Sequence, residues 1–139
     1  MKALCDDQSA DLIAGRGMGL ALAAELNSYP GPSHILELGD ALGLTDKQAS
    51  RTKELLHKME AETIPIGNRI IKDETELDRL FVERQITPTR LAEMTKSIGD
   101  VQGALRAAHL RYHLDMAQLL TPDQIRRYSR LRGYAASAD

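Results

Sequence analysis

Two seams of mostly apolar residues at helical spacing govern what this chain can become. In the first, Thr52, Leu56, Met59, Thr63, Ile66, Ile70, Asp73, Leu77 and Leu80 follow one another in alternating steps of four and three. In the second, Leu91, Met94, Ile98, Val101, Leu105, Ala108 and Tyr112 do the same. Such spacing keeps one stripe of a helix turned toward a partner along its whole length. Thr87-Pro88 divides the seams, with Thr87 as N-cap, Pro88 at the first helical position and Ile86 placed to staple onto Leu91. Two long helices joined by so short a loop predict an antiparallel hairpin. At ~1.5 Å per residue its arms span about 45–55 Å. Pro65 removes a backbone bond to Ala61 inside the first arm and predicts a kink there. Gly99, Gly103 and Ala107 recur every four residues on the second arm, a groove where another helix backbone could approach.

The hairpin is flanked by two copies of one motif. Leu44-Thr45-Asp46-Lys47-Gln48 launches the first arm, and Leu120-Thr121-Pro122-Asp123-Gln124 follows the second. In each, the threonine hydroxyl can accept from the backbone N–H of the glutamine while the glutamine side chain reaches back to the threonine N–H. Leu120 can staple onto Ile125, and Leu44 more weakly onto Ala49. The second motif starts a short basic helix to Arg132, with Gly133 as its left-handed terminator. Upstream, Asn27 to Pro32 is a break, and a short helix from Ser33 to Leu42 follows, ending at Gly43. Before the break, residues 1–9 read as frayed. Ser9 is the expected cap of a first helix through Asp11, Leu12, Ile13, Leu20, Leu22 and Leu26. Gly15, Gly17 and Gly19 weaken its early part. Gly15-Arg16-Gly17-Met18-Gly19 is no phosphate loop, because no strand precedes it; it reads as a bend or close packing contact. The expected fold is therefore all-α: a long antiparallel helical hairpin with short flanking helices. Its divisions are a partly helical N-terminal extension at 1–31, the hairpin domain at 32–134 and a tail at 135–139.

Composition narrows the function classes. A chain of 139 residues is expected to form one domain, and with one Phe, four Tyr and no Trp its core must be Leu, Ile, Met and Ala. The net charge of −2 argues against general nucleic-acid affinity. The charge is uneven: residues 1–100 hold 12 basic and 17 acidic side chains, and residues 101–139 hold 6 and 3. The single cysteine, Cys5, excludes an internal disulfide. The run Leu20-Ala21-Leu22-Ala23-Ala24 is far too short to span a bilayer, and no signal peptide opens the sequence. Either the chain is cytosolic, or Met1 stands after a removed export signal. No catalytic motif is present, and acids such as Asp73, Glu74 and Asp78 read as a solvated helix face, so no enzyme is expected.

The paired L-T-x-x-Q motifs, each heading a helix of a long α-hairpin, resemble the Spy/CpxP-type periplasmic stress chaperones. The relatives of these include zinc-responsive and heavy-metal-resistance sensor proteins. The resemblance covers about residues 32–134 and rests on Leu44, Thr45, Gln48, Leu120, Thr121 and Gln124. It implies an elongated, curved homodimer in the bacterial periplasm, with its signal peptide or membrane anchor removed, binding unfolded or misfolded proteins without ATP. A sensor kinase or anti-sigma factor is the further partner it implies. Arg106, Arg111, Arg126, Arg127, Arg130 and Arg132 are the candidate client-binding charges, and the alternative is an ordinary solvated face. This chain is less basic than the family's chaperones.

His109, His113 and Met116 fall on one stripe of a helix. Two histidines four residues apart and a thioether suit zinc, copper, nickel or cobalt. The metal-sensing relatives place a His and a Met four apart just before the second motif; Met116 fits, but the residue four before it is Tyr112. His34 and Glu37 are expected to complete the set if the two regions meet. The competing reading packs His113 and Met116 beneath Leu119-Leu120 and leaves His109 in solvent. His57 has no partner and no role. No cofactor is required by the chaperone reading, and a transition metal is the one the sensor reading would take. A third reading is a cytosolic interaction module whose basic helix, Thr121 to Arg132, touches DNA or a partner.

Overall fold

The computed structural model describes residues 4–17 and 19–134. Among these, seven helices and no strand are found: α1 (Asp6–Ala14), α2 (Leu22–Glu25), α3 (Pro32–Glu37), α4 (Gly39–Leu42), α5 (Asp46–Val82), α6 (Pro88–Leu119) and α7 (Pro122–Leu131). The long helices α5 and α6 pack against each other as a hairpin. The expected tail at 135–139, and the part of the expected fraying that falls on residues 1–3, lie outside the described residues, whereas residues 6–9 form the start of α1 and are not frayed.

Both ends of the hairpin turn follow from local chemistry. Arg84 takes a left-handed φ of 56° after α5, and the Leu80 carbonyl accepts from Gln85 N–H at 2.8 Å and Ile86 N–H at 3.2 Å. Thr87 caps α6, its hydroxyl accepting from Arg90 N–H at 3.1 Å. Helix α5 runs unbroken past Pro65. Leu91, expected at the head of the second seam, is exposed, and nothing beyond the adjoining backbone of α6 stands within 4 Å of a Cβ built on Gly99 or Gly103.

Three expectations for the flanking helices are corrected. The cap of α1 is Cys5 and not Ser9: Cys5 Sγ accepts from Gln8 N–H at 3.4 Å while Gln8 Oε1 accepts from Cys5 N–H at 3.1 Å. The box needs an acceptor atom at the cap and a glutamine three residues on, and a thiol serves. The first helix also stops early, at Gly15 with φ +72°, and only the four-residue α2 follows before the break. The segment from Ser33 to Leu42 is two helices, parted at Leu38 (φ −100°, ψ 11°), with Gly43 at φ +65° after the second.

The chain forms two compact units. The first joins the chain before Gly19 to Glu60–Ala108, and buries Leu12, Thr63, Ile70, Leu80, Ile98, Leu105 and Ala108. Here α1 lies on α5 where α5 has no side chain: a Cβ on Gly67 would stand 2.5 Å from the Leu12 carbonyl oxygen. Alanine at 67 would add about 1 kcal/mol of helix propensity to α5, yet it collides with backbone that cannot rotate away. Gly67→Ala is therefore expected to release α1, with amide exchange in Asp6–Ala14 accelerating while α5 stays protected. Undiminished protection of α1 in the variant would show that this contact does not hold it.

The second unit joins Gly19–Met59 to the chain from His109 onward. Its core is Ile35, Leu42, Leu55, Met59, Tyr112, Met116, Leu120 and Tyr128, flanked by Leu38, Leu44, Leu56, Leu119, Ile125 and Tyr134. Leu55, about 100° round the helix from the expected Leu56, is the more deeply buried of the two.

Candidate functional site

The two L-T-x-x-Q motifs meet. Each forms its own capping box: Thr45 with Gln48 at 3.0 and 3.1 Å, and Thr121 with Gln124 at 2.9 and 3.2 Å. The two glutamine amides then face each other. Gln48 Nε2 donates to Gln124 Oε1 at 2.8 Å, and Gln124 Nε2 donates to Gln48 Oε1 at 2.9 Å. Their remaining N–H groups reach the carbonyls of Leu119 (3.2 Å) and Gly43 (3.4 Å). Every amide atom is thus engaged, and the start of α5 is fastened to the start of α7.

Beside this clasp lies a buried polar group around α6. His113 is buried, and its Nδ1–H donates to the Tyr29 carbonyl at 2.7 Å. A carbonyl only accepts, so this bond fixes the tautomer and leaves Nε2 with its lone pair. Glu25, also buried, accepts from Tyr128 O–H at 2.6 Å and from Gly31 N–H at 3.1 Å. Its Oε1 stands 4.0 Å from His113 Nδ1. Burial, reinforced by the hydrogen bond to Glu25, pushes the Tyr128 hydroxyl far above its usual range, so it stays a donor. Gly31 is what permits the approach: a Cβ there would meet His113 Cε1 at 2.8 Å.

One turn earlier, His109 is 2% exposed, and its Nε2 has no hydrogen-bond partner. The expectation that it sits in solvent is corrected. Burial first, and the neighbouring His113 second, hold its pKa below the usual histidine value. A histidine neutral in the fold but able to take a proton when unfolded loses stability as pH falls. In metal-free protein, stability is expected to decline as pH drops through about 6.5, the ordinary histidine value. The decline continues down to the lowered folded value. Chemical denaturation at stepped pH should show a shallower slope in that window for His109→Gln, and an unchanged slope would remove His109 as its source.

Met116 is fully buried within the second unit's core. His34 Nδ1–H donates to Glu37 Oε2 at 3.2 Å at the surface, and Arg132 stands 3.5 Å from His34 Nε2. His34 and Glu37 are thus engaged with each other, and His34 also meets Arg132, the residue that ends α7. Among the described residues, no three His, Cys, Asp or Glu side chains are grouped as they stand to hold an ion. Of the six arginines, Arg126 pairs with Asp123, Arg127 donates to the Ala41 carbonyl at 3.2 Å, and Arg132 donates to Tyr134 O–H at 3.2 Å. Arg106, Arg111 and Arg130 are exposed.

Compared with known proteins, the chain matches the model of one family, described as heavy-metal resistance, over residues 17–127. The chain belongs to the heavy-metal resistance family. That family is part of the Spy/CpxP-like L-T-x-x-Q helical group to which the paired motifs pointed. The matched stretch contains both motifs, both histidines of α6, Met116, and also Glu25. No curated protein and no solved structure matches this heavy-metal resistance family member closely enough to compare.

Glu25 and Tyr128 had not been singled out from the sequence. A signal for Glu25 was there: it is the one charge in Leu20-Ala21-Leu22-Ala23-Ala24-Glu25-Leu26, a run otherwise apolar. Tyr128 carried none, since a tyrosine among arginines on a short helix reads as surface.

Proposed function

We propose that this chain serves heavy-metal resistance by binding a transition-metal ion, as a periplasmic sensor or buffer, with His109 and His113 as its first ligands. The observation that carries the reading is the unpartnered Nε2 of buried His109. An unsatisfied buried polar atom costs about 1–3 kcal/mol, and a cation supplies the missing partner. The lowered pKa keeps the ring neutral, the form in which an imidazole nitrogen can ligate. His113, one turn on, has its Nδ1 oriented by a backbone carbonyl, the usual support for a ligating Nε2. Imidazole and carboxylate donors suit zinc, copper, nickel and cobalt. The donors are not yet grouped, so an ion would close the site by drawing them together. A homodimer signalling to a sensor kinase or anti-sigma factor belongs to the same reading.

Calorimetric titration of metal-free protein with zinc, copper and nickel tests it. Stoichiometric binding is expected, weakened in both His109→Ala and His113→Ala. Binding unaltered by either substitution would place the ion elsewhere, and no binding by any of the three would end the reading.

A second reading has its own support. Phe81, Val82 and Leu91, on either side of the hairpin turn, are 53%, 59% and 40% exposed. Exposed large apolar side chains suit capture of unfolded protein by an ATP-independent chaperone, with exposed arginines such as Arg106 attracting it. Suppression of client aggregation that is lost in Phe81→Ser would favour this reading.

A further inference from the structure

We propose that Glu25 couples the histidine face of α6 to helix α7, so that a divalent cation taken up at His113 loosens the hold on Tyr128. The inference rests on the metal-binding reading above. The Glu25 carboxylate is shared among three parts of the second unit. Oε2 accepts from Tyr128 on α7, and Oε1 accepts from Gly31 N–H in the turn before α3. Oε1 also faces His113 on α6.

The geometry around Gly31 gives the coupling its direction. His113 Nε2 lies 3.0 Å, and Glu25 Oε1 3.3 Å, from the point where a Cβ on Gly31 would stand. Both atoms therefore turn to the same side of Gly31, where any other residue would push them aside. With Nδ1 committed to the Tyr29 carbonyl, Nε2 is the nitrogen His113 can offer. A cation there meets a buried carboxylate, and carboxylate oxygens ligate such ions at about 2.0–2.2 Å. Oε1 stands 4.0 Å from the His113 ring, so ligation pulls the carboxylate toward the ion and draws Oε2 off the 2.6 Å bond to Tyr128. Tyr128 is fully buried, so once Oε2 leaves it the hydroxyl needs another acceptor. Solvent is the replacement, and solvent reaches it only when α7 opens.

Hydrogen–deuterium exchange of the α7 amides tests this on the full chain, with zinc chloride as the probe and nickel chloride as a second. Binding is followed in parallel by calorimetry. In the unaltered protein, metal is expected to speed exchange over Ile125 to Leu131 several-fold. Tyr128→Phe should still bind metal, exchange faster in α7 without it, and show no further change on its addition. Glu25→Gln keeps one acceptor oxygen, which can serve Tyr128 while Gly31 N–H loses its partner, and is a poor ligand. It should weaken binding by about tenfold or more and abolish the response of α7. Metal binding with unchanged α7 exchange in the unaltered protein sinks the coupling and leaves the metal reading standing. No binding of either ion removes both. If Tyr128→Phe loses helicity, the comparison with Glu25→Gln decides the matter alone.

Discussion

Met116→Ala is expected to destabilise the protein by about 2–5 kcal/mol, and Met116→Leu by less than about 1.5 kcal/mol. The side chain is fully buried among Tyr112, Leu120, Tyr128 and their neighbours, so alanine leaves a cavity whereas leucine keeps the volume. Urea denaturation of the two variants measures both values. The leucine variant also separates packing from ligation. If Met116 only fills the core, Met116→Leu binds zinc and copper as the unaltered protein does. A stable Met116→Leu with lost copper affinity would show that the thioether reaches the ion. A small effect of alanine would contradict the packing itself.

The second large effect is expected at the clasp between the motifs. Gln48→Ala loses the box with Thr45, both bonds to Gln124 and the bond to the Leu119 carbonyl. At about 0.5–1.5 kcal/mol for each of these four hydrogen bonds, this amounts to roughly 2–6 kcal/mol. Gln48→Glu is the sharper probe. A glutamate still accepts from Thr45 N–H and completes a good capping box. It has no N–H to give, and its charge faces Gln124 Oε1 and the Leu119 carbonyl. If the motif served only to start a helix, Gln48→Glu would be neutral. The clasp predicts a loss of about 1–3 kcal/mol. It also predicts that Gln48→Ala and Gln124→Ala are non-additive when combined, with a coupling of about 0.5–3 kcal/mol. Additive losses and a neutral glutamate would reduce the motif to two independent caps.

Much of the fold was legible because it is written in local terms. The seams placed α5 and α6, and their ends fell where Thr45, Thr87 and Thr121 supply caps. The turn at Arg84 needed no glycine, so sequence could bound it but not name the residue that turns left-handed. The errors in the N-terminal helices have the same origin. Cys5 caps α1 through a weak sulfur acceptor that cap preferences rank behind Ser. A one-residue parting at Leu38 leaves no mark in composition.

The site was legible only in its α6 half. His109, His113 and Met116 are periodic on one helix, and periodicity is local. Their burial, and the choice of Glu25 as the acid facing His113, are not. His34 and Glu37 looked equally suited by type, yet they pair with each other at the surface. Sequence by itself determined the two long helices, the three threonine caps and the family, since hydrogen bonds within one turn and apolar steps of three and four decide those. Only the tertiary structure decided that the two glutamines share one pair of amides, that His109 lies buried with an unpartnered nitrogen, and that one carboxylate joins α2, α6 and α7. Those partners stand 76 to 103 residues apart in the chain, and what brings such distant groups together is the burial of the second unit's core.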